Sequence, residues 1–415
     1  MIEWSEQHQM IRDALRRFVE AEIAPQVEAL EHGDMPPYEI LRKMFRTFGL
    51  DELARARFRS QQKREAQASR SEPQASEAHK GGGEEGAVAR GDAAAMPLLA
   101  IIELCRHCPG MVTAMGVSVG LAAAAILSKG TRAQKERWAL ELLTFDKIGA
   151  WAITEPDSGS DAFGSMKSTA KRDGQGGYLL NGTKTFITNG PYADTIVFIC
   201  KLDEPGLTPA DRPVLTFVLD RGMPGLTQSK PLRKMGLHSS PTGELFLQDV
   251  RVEADRLLGE SEAAQSRSGA KATFSIERTG VAAMALGIVE RCLELSLAYA
   301  RERVQFGRPI GEFQLIQDKL ARMEVARMNL QNLVFRQIEL AATGRSPTLA
   351  EASAMKLYSA RAAMEVALEA VQIYGGNGYM AEYRVEQLAR DAKVLQIYAG
   401  TDEIQISAIA RSLLA

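Results

Sequence analysis

The spacing of hydrophobic and polar positions changes character twice along the chain. Over residues 3–50 apolar residues recur at helical spacing: Ile11, Leu15, Phe18, Val19 and Ile23 form one stripe, with Ser5 placed to cap it and Pro25 to interrupt it. Pro36-Pro37 predicts the start of a second helix carrying Ile40, Leu41, Met44 and Phe45 and ending near Gly49. The helical pattern resumes at Met96 (Leu98, Leu99, Ile101, Ile102, Leu104) and runs on to Trp138 and Leu143. From about 149 to 252 the texture becomes short apolar or alternating runs between turn residues: Trp151–Thr154, Tyr178–Asn181, Ile196–Leu202, Val214–Leu219 and Glu244–Val250. These predict an antiparallel β domain. Apolar stripes return near 275–304, 313–343, 348–374 and 383–413, separated by short Gly-containing breaks, so a bundle of four long helices is predicted. The expected fold class is α+β: an all-α domain over 1–148, a β domain over 149–255 and a four-helix bundle over 270–415.

Two stretches stand apart. Residues 55–95 are rich in Arg, Gln, Glu, Ala and Ser and include Gly81-Gly82-Gly83, with few large apolar residues to offset ordering entropy; a solvated helix leading into a flexible loop is expected. Pro109 to Ser128 contains no charged residue and is long enough to span a bilayer. It is built from Gly, Ala, Ser, Met and Thr without basic or aromatic flanks, so a buried core helix is the better reading and no membrane partner is expected.

Bulk composition narrows the class. The chain has 415 residues, 45 % hydrophobic and 25 % charged, with a formal charge of −2, as expected of a globular protein of two or three substructures. No basic excess favours nucleic acid. The start, Met1-Ile-Glu-Trp-Ser-Glu, lacks a basic n-region and an apolar h-region, so a cytoplasmic location is expected. Four cysteines (Cys105, Cys108, Cys200, Cys292) are too few for a disulfide framework, and the lone Cys105-x-x-Cys108 lacks a second ligand pair. They read as reduced, structural thiols, and no metal site is expected.

Candidate chemistry lies in motifs. Trp151-Ala-Ile153-Thr154-Glu155-Pro-Asp-Ser-Gly-Ser160-Asp precedes Asn181-Gly182-Thr-Lys184-Thr-Phe186-Ile-Thr188-Asn189-Gly190, the second closing a hairpin-like run from Tyr178. Hydroxyl-, Asn- and Gly-rich turns of this kind place backbone N–H groups against a flat polar ligand, although each alone is equally strand and turn. Further on come Arg301-Glu-Arg303-Val-Gln305-Phe306-Gly307 with Phe313-Gln314, Gln372-Ile-Tyr-Gly375-Gly376-Asn-Gly, Arg390-Asp-Ala-Lys393, and Ile397-Tyr-Ala399-Gly400-Thr401-Asp-Glu403-Ile-Gln405. In this order, across nearly the whole chain, they closely resemble the acyl-CoA dehydrogenase family.

The resemblance implies non-covalently held FAD and removal of two hydrogens from Cα and Cβ of an acyl-CoA thioester. Such chemistry needs a carboxylate for the weakly acidic α-proton and donors for the developing enolate, while the cofactor takes the hydride. Many members carry a Glu immediately before the Gly-Thr of the last motif. Here that position is Ala399, which keeps a backbone N–H for the thioester carbonyl but has no carboxyl. Isovaleryl- and long-chain-type members resemble the alternative seen here, an acidic residue followed by Arg early in the first bundle helix, so Glu277 is the expected base and Arg278 its orienting neighbour. The competing reading of Glu277 alone is an exposed first-turn residue favoured by the helix dipole.

The same resemblance implies that Trp151, Ile153, Thr154 and Ser160 line the flavin edge, and that Phe186 and Thr188 match its ring-stacking and N5-side contacts. Arg303, Gln305, Phe306, Gln314, Gln372, Gly375 and Gly376 match residues that reach the FAD of a neighbouring subunit, and Thr401 and Glu403 contacts on the subunit's own side. Arg303 has a physical reason, since a guanidinium suits a pyrophosphate. Ser160, Ser275, Arg278 and Gly400 match positions near the thioester, although Ser275 is equally suited to cap the helix. A homodimer or homotetramer and an electron-transfer flavoprotein as electron acceptor are the implied partners. Competing expectations are an enoyl-thioester reductase, oxidase or monooxygenase on the same cradle, or a subunit without a base that serves only for binding. The polar 55–95 stretch replaces a short loop of the family and leaves acyl size open.

Overall fold

The structure, a computed structural model, describes residues 3–33, 35–68, 84–208, 211–262 and 267–415, with the backbone alone at 66, 68, 84, 85 and 267–276. Ser5 Oγ accepts the His8 N–H at 3.2 Å and starts α1 (Glu6–Phe18). After α2 (Val27–Glu31), Pro37 caps α3 (Tyr38–Thr47), whose Ile40, Leu41, Met44 and Phe45 are buried as their spacing predicts. The polar stretch is helical on both flanks, in α4 (Leu50–Ala68) and in α5 (Glu84–Cys105), which begins well before Met96. Gly81-Gly82-Gly83 and the expected loop lie outside the described residues.

The uncharged run forms α6 (Pro109–Gly116), a wider π-type stretch (Val117–Ala123) and α7 (Ala124–Lys129), followed by α8 (Arg132–Gln134) and α9 (Leu140–Leu143). By length and composition Pro109–Lys129 passes for a membrane span. Half of that window is buried inside the protein, Met111, Val112, Ala114, Leu121, Ala122, Ala123 and Ile126 among it, so the buried-helix reading holds for one face.

A seven-stranded sheet follows: β1 (Gly149–Ala152), β2 (Thr169–Arg172), β3 (Tyr178–Thr188), β4 (Thr195–Leu202), β5 (Val214–Asp220), β6 (Leu226–Gln228) and β7 (Thr242–Val252). It is largely antiparallel, as the alternating pattern predicts, but β1 and β2 both pair with β4 in parallel. Short β2 and β6 escape the pattern because neither carries an apolar run. The hairpin-like run is also corrected. Asn181-Gly182 does not turn the chain; β3 is one strand paired with β7, and its register shifts at Leu180/Gly182 and Lys184/Ile187 absorb the irregular residues as bulges.

The bundle consists of α10 (Arg267–Glu302), α11 (Gln314–Ala342) and α12 (Leu349–Tyr374), with a small ribbon of β8 (Val304–Gln305) and β9 (Arg308–Pro309) after α10. The expected fourth helix is split into α13 (Arg384–Lys393) and α14 (Asp402–Leu414), because Ala399 and Gly400 both leave the helical region with positive φ. One apolar cluster joins the N-terminal helices to the bundle, drawing Leu41, Leu99 and Ile102 together with Leu286, Val289 and Leu330. Truncating such a side chain, as in Leu99→Ala, costs about 2–5 kcal/mol. A buried ion network reinforces the seam: Glu103 of α5 accepts from Arg12 at 2.6 Å and Arg16 at 3.0 Å, both from α1. Burial works to raise the Glu103 carboxyl, yet these guanidinia hold it below the usual range.

Asn189 ties three elements at one point. Its amide donates to Ala114 O and Gly149 O, both at 2.9 Å, and its Oδ1 accepts from the Tyr38 hydroxyl at 3.1 Å. Gly149 N–H in turn donates to Ser118 Oγ at 2.9 Å, and a Cβ at Gly149 would stand only 2.9 Å from Ala122 Cβ. The uncharged helix and β1 are thereby held at backbone contact.

Candidate active site

Glu277 sits well inside α10 rather than in its first turn, and α10 begins before Ser275, so Ser275 does not cap it; the Ser275 side chain lies outside the described residues. Glu277 as a residue is partly buried. Protein packed around it raises its pKa to about 7, a rise that the nearby cations of Arg278 and Lys356 oppose. Arg278 is buried. Its Nη1 donates to Ser353 Oγ at 3.0 Å and its Nε reaches Ala399 O at 3.5 Å, which brings the Glu277 segment against the Ala399-Gly400 turn. Tyr398 lies at the same place: burial pushes its phenol up, and Cys105 and Glu277 are among the groups that add to the rise. Thr401 Oγ1 accepts the Ile404 N–H and caps α14, leaving Glu403 exposed in the first turn.

The two β-domain motifs meet through a buried ion pair. Lys184 Nζ, wholly buried, donates to Glu155 Oε1 at 2.8 Å and to Ile153 O at 3.0 Å. Glu155 also accepts the backbone N–H of Lys167 at 2.6 Å and of Ser168 at 2.9 Å, so one carboxylate closes the whole 155–168 loop. Burial lowers the Lys184 pKa against the pull of Glu155; Glu155, despite its own burial, is held low by Lys184. Ser160 lies exposed in that loop, and Thr154 O accepts from Thr185 N at 2.9 Å. Ile153 turns its side chain into a small cluster with Met166 and Ile199, against which Trp151 packs. Phe186 is 68 % exposed at φ +57°, a conformation that costs a non-glycine residue about 1–2 kcal/mol. Thr188, two residues on, is partly buried at the end of β3.

The remaining candidates gather at the other end of α10. Arg303, Gln305, Gln314, Gln372, Gly375 and Gly376 are all exposed, and Phe306 is 95 % exposed at φ +52°. Tyr299 and Tyr374 stack with centroids 4.0 Å apart, and Asn377 Nδ2 donates to the Tyr299 hydroxyl at 3.0 Å. The end of α10 that leads into the β8–β9 ribbon thus packs against the end of α12 and the turn that follows it. Twenty-five residues of helix separate Glu277 from Glu302, about 37 Å at 1.5 Å per residue. The candidates at the Arg303 end therefore do not meet Glu277 within the chain.

Sequence reasoning assigns no role to Glu155 and Lys184, which stand inside the two β-domain motifs 29 residues apart, and no local signal marks them as a pair. Ser353, Lys356 and Asp402 carried no signal. Gln405 was quoted as the last residue of its motif and nothing more.

Family models for the acyl-CoA dehydrogenase N-terminal domain match residues 5–53 and 81–146, for the middle domain 150–250, and for the C-terminal domain 268–414. An acyl-CoA dehydrogenase of Bacillus subtilis (strain 168) is 38 % identical over 407 residues, 98 % of this chain and 97 % of its own length. A 3-(aryl)acrylate reductase of Clostridium sporogenes (strain ATCC 15579) is 33 % identical over 413 residues, 99 % of both. A glutaryl-CoA dehydrogenase from Mycobacterium smegmatis, solved in complex with FADH2, superposes with a TM-score of 0.81 at 27 % identity, over 99 % of this chain and 95 % of that one.

Proposed function

The chain belongs to the acyl-CoA dehydrogenase family of oxidoreductases, and from that premise we propose that it is an FAD-dependent α,β-dehydrogenase of acyl-CoA thioesters with Glu277 as its base. The observation that carries the reading is the Glu277 carboxyl, whose pKa near 7 suits proton transfer at neutral pH, beside a turn where Ala399 has no carboxyl to offer. Its proton affinity is matched to its task by burial.

The residues present fit FAD. An aromatic ring left exposed at strained φ on the β domain, Phe186, is a surface for a flat ring system, and we assign Thr188, Trp151, Thr154 and Ser160 to the same cofactor. Thr401 and Glu403 serve the same subunit's cofactor. When bound, FAD supplies the redox step by accepting the hydride that leaves Cβ. Glu277 takes the α-proton. The Ala399 N–H donates to the thioester oxygen as negative charge builds there. Arg278, Gly400 and Ser160 stand along the acyl-CoA site, and we place Ser275 with them.

The second cluster supports a shared site. Arg303, Gln305, Phe306, Gln314, Gln372, Gly375 and Gly376 serve the FAD of a second copy, since α10 holds them too far from their own Glu277. With this reading we place a homodimer, assembled further into a homotetramer, an electron-transfer flavoprotein as electron acceptor and a cytoplasmic setting. The full-length similarity to a 3-(aryl)acrylate reductase favours one second reading: the same site run in reverse, with protonated Glu277 delivering the proton to Cα.

Anaerobic titration of the purified protein with short, branched, long and steroid-like acyl-CoAs tests this. Prompt bleaching of the flavin by one class is expected and names the substrate. A flavin-loaded protein that no acyl-CoA bleaches, but whose reduced form is reoxidised by an enoyl thioester, would move the reductive reading ahead. A protein that never binds flavin would leave only a binding role.

A further inference from the structure

The turn that precedes α14 is conformationally expensive. Ala399 stands at φ +54°, a left-handed conformation that a non-glycine residue keeps only where surrounding structure holds it, while Gly400 at φ +88° adopts its own freely. The constraint comes largely from one side chain. Gln405 Nε2 donates to Ala399 O at 3.0 Å and to Gly400 O at 2.7 Å. Both partners are acceptors, so the amide nitrogen must face them whichever way the amide was assigned.

Several features indicate that this amide is placed for the turn. Gln405 is fully buried, and among the described residues its Oε1 has no hydrogen-bond partner, so the bonds this side chain makes there are those to the two carbonyls. Asp402, one turn earlier on α14, is held at 3.1 Å by Arg361 and at 3.5 Å by the buried Lys356, which anchors the helix that carries Gln405. A Cβ at residue 400 would come within 2.8 Å of Gln405 Nε2, so the glycine there lets the amide approach. Arg278 touches the same Ala399 carbonyl from the α10 side.

We infer that Gln405 is a positioning residue: by bridging the carbonyls of Ala399 and Gly400 it sets the direction of the Ala399 N–H toward the thioester oxygen. This rests on the proposed role of that N–H. A chain that has given up the carboxylate at position 399 still needs the backbone there in one conformation, and the side chain that enforces it lies six residues on.

Gln405→Leu keeps volume and removes the donor. It should lower kcat for the best acyl-CoA roughly a hundredfold, as expected when a reacting contact shifts by about 1 Å, with KM and bound FAD changed far less. A second readout does not require turnover: a 3-oxoacyl-CoA, which presents an enolate oxygen to the same N–H, should bind more weakly by calorimetry on the order of tenfold, the scale of a hydrogen bond to a charged group. Gln405→Glu covers the case in which the leucine variant fails to fold. Its shortfall against wild type should narrow as pH falls, because a protonated carboxylic acid donates again. Wild-type kcat and wild-type 3-oxoacyl-CoA affinity in a folded variant overturn the inference. If the wild-type protein oxidises no acyl-CoA, the proposed function fails while the binding readout still decides the role of Gln405.

Discussion

The two ends of α10 are built on different terms. Around Glu277 several polar groups are buried and bonded within the chain: Arg278 to Ser353, the Ala399 and Gly400 carbonyls to Gln405, Asp402 to Arg361. Around Arg303 they are exposed, and Phe306 offers nearly its whole ring to solvent. Burying a phenylalanine contributes about 1.5–3 kcal/mol, so an exposed one at left-handed φ is not explained by the folding of a single chain. One end is completed by the fold, and the other has the character of a surface awaiting a second body. Such a division suits a site shared between subunits, because about 37 Å of rigid helix keeps the two halves of one chain apart.

Mixing variants gives the sharpest way to break this comparison. Glu277→Gln should lower the rate of flavin bleaching by roughly 10²–10⁴-fold, the usual contribution of a general base, with flavin content intact. Arg303→Ala should instead leave the purified protein poor in flavin. Mixed dimers of the two, assembled from differently tagged chains, should regain about a quarter of wild-type activity, since half of randomly paired dimers are mixed and each holds one intact site. No recovery would place both residues in one subunit's site.

The pH profile sharpens the first end alone. Glu277 accepts a proton only when ionised, and packing holds its pKa near 7. The anaerobic reduction rate should therefore rise about tenfold per pH unit below 7 and level off above it. A plateau already reached near the ordinary value of 4.5 would show that the carboxyl is solvated as freely as the exposed end.

The smallest effect is on stability. Because the folded-state pKa of Glu277 is raised, the native chain retains a proton that the unfolded chain releases near 4.5, and stability falls as pH climbs from there to about 7. Glu277→Gln should thus stabilise the protein above pH 7 by about 3 kcal/mol and leave it unchanged at acid pH. Thermal denaturation at pH 4 and pH 8 reads both. Equal Tm shifts at the two values would trace the effect to packing.

Periodicity carried most of the architecture. The stripes of α1, α3, α11 and α12 lie where the spacing of apolar residues placed them, because burying a stripe every 3.6 residues leaves little freedom. The motifs likewise made the family legible, and they singled out Glu277 as the candidate base because Ala399 visibly lacks a carboxyl. Local reading failed where local preference was overridden. Asn181-Gly182 favours a turn, yet pairing with β2 and β7 carries it through as a strand. The stripe over 383–413 favours one helix, yet Gln405 and the Asp402 anchor hold a break at 399–400.

By itself, then, the sequence determined the order of helical and β segments, the apolar faces and the inventory of reactive groups, because these depend on residue type and short-range period. Only the tertiary structure decided that Lys184 would be buried against Glu155, that Glu277 would be raised toward neutrality, and that Arg278, Ser353 and Gln405 would converge on one turn. Desolvation and hydrogen bonding between residues tens to more than a hundred positions apart arise from packing, and no spacing along the chain encodes them.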